Sequence, residues 1–446
     1  MKVRLVSHAS VLIESDDCVV WTDPWLSGKV FNDSWSLFPS AAWDSSLLGK
    51  IDYIWISHEH PDHFNIPTLR SLPDWFKRRT TILFQDLGSP KMVRAFMELG
   101  FPNVRLLGHR RIERLRQGSR AYCYYVGLMD SCLAVTDGTH TVFDANDAQL
   151  TARDCRRIVA DIGRVDALLN QFSIAFYSGL VDYQEPLRRM AKGILDRMYR
   201  NHVDLNAEVT IPFASLMYFS STENKYINEF HNTPAGVSER LGEAGASVAV
   251  LYPGDTYELG RIHDSTDALK RYERLYAAGS SLPCDPPPRV EFDQIARAFF
   301  GLVDHLHEKY PVAFLRTLRP VTVRITDLKM TAVFSIPGRS LKIAAEQTAP
   351  DMLVGSQSLH FSFSNPYGFQ TLGISGRLMI PADSRNLRLH RLLFSLDNAE
   401  LYLRPRFLIR RGIMSFLRQR SSGGTNLFLY VIRRMRHISP LESFQG

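Results

Sequence analysis

Ser57-His58-Glu59-His60-Pro61-Asp62-His63 is the stretch from which the rest of this chain is read. It follows Ile51 to Ser57 (IDYIWIS), a short apolar run of the kind that forms a buried strand. In a loop leaving such a strand, His58 and His60 can turn their rings to one side, while Asp62 and His63 face a neighbouring position. One histidine alone is more often a structural group of the core. Three imidazoles and a carboxylate within six residues are costly to bury without a cation, so the cluster points to a bound metal. Imidazole and carboxylate together suit zinc, iron or manganese.

Outward from this loop the first half alternates strands and helices. Val3 to Ile13 and Cys18 to Thr22 read as a β-hairpin closed at Ser15-Asp16-Asp17. Thr81 to Phe84, a helix around Lys91 to Leu99, and Val104 to Leu107 make a β-α-β unit. Ala121 to Val126, Cys132 to Thr136 and Thr141 to Phe143 read as strands, the last two joined by the turn Asp137-Gly138-Thr139. Helices are expected at Ile66 to Ser71, Ala152 to Ile162 and Pro186 to Arg200, and strands at Ala167 to Asn170, Glu208 to Pro212 and Ser247 to Leu251. Gly279 to Pro288, with four prolines, reads as a linker. Beyond it come a helix from Glu291 to Tyr310 and strands at Val321 to Thr326, Thr331 to Ile336, Ser340 to Ala344 and Leu359 to Phe363. The division is therefore a metal-binding catalytic domain over 1–278, a linker over 279–288 and an α+β accessory domain over 289–446. Phe361, Phe363, Tyr367 and Phe369 are expected to pack the accessory domain or to wall an apolar cavity in it.

The composition is that of a globular protein, 45% apolar and 22% charged, with no apolar run long enough to span a membrane and no signal peptide at Met1-Lys2-Val3-Arg4. A cytoplasmic protein is the expectation. The five cysteines are odd in number and form no Cys-x-x-Cys pair, which argues against a disulfide framework and a cysteine zinc site. The net charge of +7 is carried by nine arginines between Leu401 and Arg436, where no acid occurs. That basic, apolar-interleaved segment can lie on an anionic membrane or dock on an acidic partner, though a helix packed on the accessory domain is the plainer reading. Nucleic acid is not an expected partner, because the body of the chain is slightly acidic.

His58-x-His60-x-Asp62-His63 is the signature of the metallo-β-lactamase superfamily, which this chain resembles. The resemblance implies an α/β fold, the αββα sandwich, here with an appended C-terminal α+β domain. It also implies roles residue by residue. Asp23, in Thr22-Asp23-Pro24-Trp25, stands where the family has a buried brace for the histidine loop; a turn cap is the other reading. Asp147, in Asn146-Asp147, stands where the family has the carboxylate that bridges two metals, with Asp144 as the alternative. The family's further histidine is missing from Tyr124 to Ser131, where Asp130 either replaces it or serves as a turn or supporting acid. The last family histidine corresponds to His231, which can also be read as a polar loop residue. His8 either reaches the site mouth or is a structural polar group. The implied ligands are His58, His60, Asp62, His63, Asp130, Asp147 and His231, with Asp62 and Asp130 in catalytic roles, holding two transition-metal ions. Exchanging an imidazole for a carboxylate favours iron, with zinc or manganese as alternatives.

Within the superfamily the chain resembles the CMP-N-acetylneuraminate (sialic acid) hydroxylase family. His8-Ala9-Ser10-Val11, Asp23-Pro24-Trp25-Leu26, Tyr53 to His58, Met129 to Cys132, Asn146-Asp147, Ile211 to Ala214, Lys225-Tyr226-Ile227, Pro253-Gly254 and Tyr367 to Thr371 match it in order. This implies a non-haem diiron oxygenase acting on a small, sugar-nucleotide-like substrate. That family carries a Rieske domain with Cys-x-His and Cys-x-x-His pairs, which this sequence lacks, so the electrons are expected from a separate electron-donor protein or from the substrate. Two other readings stand beside it: hydrolysis of a phosphoester, lactone or amide by a metal-bound hydroxide, and a non-catalytic binding module.

Overall fold

The computed structural model describes residues 1–398 apart from 128, 178, 278–281, 383 and 385. The arginine-rich segment and part of the expected linker lie outside the described residues.

Two sheets face each other. The first runs in the order Thr256–Glu258, Lys2–Ser7, Ser10–Glu14, Val19–Thr22, Tyr53–Ile56, Thr81–Gln85, Val104–Leu107. The second runs Ala207–Phe213, Val165–Gln171, Thr141–Asn146, Asp130–Thr136, Arg120–Val126, Ile112–Arg114. The two-residue period of each strand divides its side chains between two cores. Tyr53 and Trp55 point between the sheets, where they meet Cys123, Leu133 and Leu169, whereas Ile54 and Ile56 point outward onto Leu69, Phe76 and Phe96. On the other side Phe143 and Leu168 lie under Cys155 and Ile158 of the helix Ala152–Ile162. The layers are thus α, β, β, α. The chain is an α/β protein of the metallo-β-lactamase fold with further α and β elements after it.

The parallel strands fix where a site can form. Val19–Thr22, Tyr53–Ile56 and Thr81–Gln85 run in one direction and end side by side, as do Thr141–Asn146 and Val165–Gln171 in the second sheet. Loops leaving these C-terminal ends carry Asp23, Ser57 to His63, and Asp147.

Three sequence expectations are corrected here. Val3 to Ile13 is not one strand: it breaks at His8-Ala9, and Lys2–Ser7 turns back to pair with Ser10–Glu14. Ser247 to Leu251 forms no strand; Val248 makes only a bridge to Thr210. Leu359 to Phe363 is part of a helix, Ser356–Ser364. Its apolar–polar alternation imitates a strand, but the buried set is Ser358, Leu359, Ser362 and Phe363, a helical spacing completed by small serines.

After the linker the helix Phe292–Lys309 packs on a sheet ordered Ser340–Ala344, Met330–Ser335, Val321–Ile325, Met352–Val354, Leu378–Met379. These elements share an apolar core from Ile295 to Phe394, separate from the cores of the sandwich. Polar contacts join the two parts. Arg377, 4% exposed, bonds Glu223 Oε2 at 2.6 Å and the Asn32 carbonyl at 2.9 Å, and Asn32 and Gln357 exchange side-chain bonds.

Candidate metal centre

Asp23 sits at the end of Val19–Thr22, fully buried and with φ at +35°, and it organises the histidine loop. Its Oδ1 accepts from the Ser57 backbone N–H at 2.8 Å. Its Oδ2 accepts from Ser57 Oγ and from Asn146 Nδ2, both at 2.6 Å, and faces His63 Nδ1 at 2.8 Å. The brace expected from the sequence is therefore present, and a turn cap is not its role. Ser57 Oγ lies 2.9 Å from His58 Nδ1, so Asp23 orients one imidazole directly and a second through Ser57. The Ser57 carbonyl is held in turn by Ser131 Oγ at 2.6 Å and Gln85 Nε2 at 3.0 Å.

With Nδ1 so engaged, His58 and His63 present Nε2 to the interior. His58 Nε2 and His63 Nε2 each lie 3.8 Å from Asp147 Oδ2, and His60 Nδ1 lies 2.8 Å from His58 Nε2. On the other side Asp62 Oδ2 is 3.2 Å from His63 Nε2 and 3.3 Å from His8 Nε2. Two groups able to hold a metal result: His58, His63 and Asp147, and His8, Asp62 and His63. Asp62 Oδ1, Asp147 Oδ1 and His8 Nδ1 are buried without a hydrogen-bond partner. Carboxylates that turn one oxygen to converging imidazoles and leave the other buried without a partner are what a cation would satisfy, so the residues fit a metal.

The electrostatics agree. Burial, with His63 and His60 as neighbours, holds His58 well below the ordinary imidazole range, leaving its ring neutral and able to ligate. Burial also pulls on His63, but Asp62, Asp23 and Asp147 outweigh it and raise that ring well above the ordinary range. Burial raises Asp62, yet His63 and His8 outweigh it and hold its carboxyl well below the usual range. Without a cation, a proton on His63 takes its place among three carboxylates.

Asp144 lies below the site. Burial and the nearby Asp23 carboxylate push it well above the usual carboxyl range, and its Oδ1 accepts from the Asn146 N–H at 2.9 Å. Asp147, not Asp144, faces the histidines. Asp130 begins the strand Asp130–Thr136, and His231 closes the short helix Lys225–Phe230 beside Phe219; neither belongs to the two groups. His231 is held down to about 4 by burial. The expected loss of an imidazole is offset by His8, which the turn at His8-Ala9 delivers to Asp62.

Two further residues arrive from the other end of the chain. Tyr367 OH donates to Glu59 Oε2 at 2.5 Å, where Lys91 Nζ also binds at 2.9 Å, and Gln370 Nε2 lies 3.0 Å from His60 Nε2. Tyr367 therefore leaves the accessory core in which the sequence placed it. No local pattern marks these contacts; the only signal was the recurrence of Tyr367 to Thr371 in the family resemblance.

Residues 2–157 match the beta-lactamase superfamily domain. A putative Rieske 2Fe-2S iron-sulfur protein of Mycolicibacterium smegmatis is 30% identical over 257 residues, covering 53% of this chain and 48% of that protein. A cytidine monophosphate-N-acetylneuraminic acid hydroxylase of Asterias rubens is 30% identical over 275 residues, covering 57% and 40%. The chain thus spans about half the length of the curated relatives it matches, or less. Among solved structures, CmlA, a diiron beta-hydroxylase from Streptomyces venezuelae, aligns with 17% identity and a TM-score of 0.42 over 58% of this chain and 54% of that one. Among the described residues no helix is long and apolar enough to cross a membrane.

Proposed function

We propose that this chain is a metal-dependent enzyme of the non-haem iron oxygenase class, with two metal ions, drawing electrons from an external donor. The observation that carries the reading is the convergence of His58, His60, Asp62, His63 and Asp147, with His8 beside Asp62, at the C-terminal ends of both sheets. His58, His60 and Asp147 would hold one ion, and His8, Asp62 and His63 the second. A bound iron pair would supply the redox chemistry of dioxygen. The protein's part is to aim the ligands through Asp23 and Ser57 and to keep His58 neutral.

Asp130 and His231, the other ligands implied by the resemblance, lie outside both groups. Relatives named as a hydroxylase and as a Rieske protein support the oxygenase class and a Rieske-type donor protein. The hydroxylase's printed name further supports a small substrate of the sugar-nucleotide class.

Hydrolysis by a metal-bound hydroxide is the second reading, and His8 favours it. A fourth imidazole at the centre suits zinc as well as iron. Metal analysis of the chain purified without air, followed by ferrous loading and exposure to dioxygen, separates the two. Iron with dioxygen uptake is expected. Native zinc together with an iron-loaded chain inert to dioxygen would replace the oxygenase with the hydrolase.

A further inference from the structure

A histidine that faces a metal with one nitrogen almost always has the other held. His63 and His58 are held by Asp23, the second through Ser57. His60 differs. Its inward atom is Nδ1, 2.8 Å from His58 Nε2, and among the described residues its outer Nε2 has no hydrogen-bond partner in the sandwich. It meets Gln370, at 3.0 Å, from the helix Gly368–Ile374 some three hundred residues later in the chain. We propose that Gln370 is the positioning residue for His60, turning Nδ1 toward the centre, so that the C-terminal part finishes a metal site otherwise built by the sandwich. The inference rests on the metal reading given above.

The hydrogen-bond directions explain why a glutamine suits this place. Ser57 Oγ–H donates to Asp23, so Ser57 Oγ accepts from His58 Nδ1–H and His58 Nε2 keeps its lone pair. His60 Nδ1–H can then donate to His58 Nε2, and His60 Nε2, left with a lone pair, accepts from the Gln370 amide N–H. The chain of donors is consistent from Gln370 to Asp23. When His60 instead gives its Nδ1 lone pair to a metal, its proton sits on Nε2 and needs an acceptor. A half-turn of the Gln370 amide puts Oε1 in the same place. A glutamine thus serves both forms of His60, whereas a donor-only or acceptor-only side chain serves one. The nearby latch fixes the distance. Tyr367, three residues before Gln370, bonds Glu59, the residue before His60, and Lys91 lies against both Glu59 and the Tyr367 ring.

The test uses the full chain and Zn2+, titrated against a chromophoric chelator, for wild type, Gln370→Met and Gln370→Glu, with Co2+ absorption spectra alongside. Methionine fills the space with only a weak thioether acceptor for His60 and should weaken zinc about tenfold or more, with an altered cobalt spectrum. Glutamate restores an acceptor and should bind at least as tightly as wild type. Zinc affinity and cobalt spectrum unchanged in Gln370→Met would overturn the inference while leaving the metal reading intact. Equal weakening in both variants would also overturn it, because only shape would then matter. Ring 15N shifts of His60 in wild type need no variant. A proton on Nε2 in the zinc-loaded chain and on Nδ1 in the metal-free chain is expected, and an unprotonated Nε2 with zinc bound would refute it. A wild-type chain that takes up no zinc overturns the metal reading and this inference together.

Discussion

At the scale of single residues, Asp23 is the most connected group of the centre, with Ser57, His63 and Asn146 converging on one buried carboxylate. Asp23→Ala should cost about 3–5 kcal/mol, because it strands a buried imidazole and three donors, and a lowered denaturant midpoint would show it. Asp144, inside the strand Thr141–Asn146, and Asp147, just after it, separate in a different way. Asp144 has a raised value in the fold, so the folded chain holds its proton more tightly than the unfolded one. Its contribution to stability is therefore lost as pH rises beyond the unfolded value of about 3.9. Asp144→Asn keeps the shape of the protonated form. The metal-stripped variant should gain on wild type in melting temperature between pH 4 and pH 7, and it should still bind metal. Asp147→Asn should instead lose metal, as measured by elemental analysis after loading. Retained metal in Asp147→Asn with loss in Asp144→Asn would reverse the assignment.

At the scale of elements, the helices Ser356–Ser364 and Gly368–Ile374 meet so closely that a Cβ on Gly368 would lie 2.5 Å from Ser362 Cα and 2.6 Å from its carbonyl oxygen. Backbone cannot yield as a side chain can. Gly368→Ala should push Gly368–Ile374 outward, at a cost of about 1–3 kcal/mol, and carry Tyr367 and Gln370 off the histidine loop. A drop in melting temperature with weakened zinc binding is expected. The same elements show where sequence patterning misleads. Serines at 358 and 362 are small enough to be buried in a helix contact, and a hydrophobicity count takes them as the exposed face of a strand. The break at His8-Ala9 was hidden for the opposite reason, since apolar residues continue on both sides of a turn whose two arms pair with each other.

At the scale of the whole molecule, the two parts keep separate apolar cores and join through polar contacts centred on the buried Arg377 and through Ile374, which packs on the cluster of Trp25, Trp35 and Phe219. Removing the Arg377 guanidinium leaves Glu223 without a cation in a largely enclosed place. Arg377→Met should cost about 3–5 kcal/mol at this junction, and the single thermal transition should split into two. A shared, unshifted transition would show that the junction does not couple them.

The sequence by itself determined a chain of alternating strands and helices, because apolar periodicity is a local pattern, and the layered sandwich followed from the family resemblance. The sequence also determined the histidine loop, since ligands within six residues of each other need no long-range information to be seen together, whereas Asp23 and Asp147 followed from the family resemblance. Only the tertiary structure decided what closes around that loop. His8 depends on a turn inside an apolar run. Gln370 and Tyr367 depend on a junction formed by residues far apart in the chain. A side chain's partner across three hundred residues is set by packing, and no spacing along the chain encodes it.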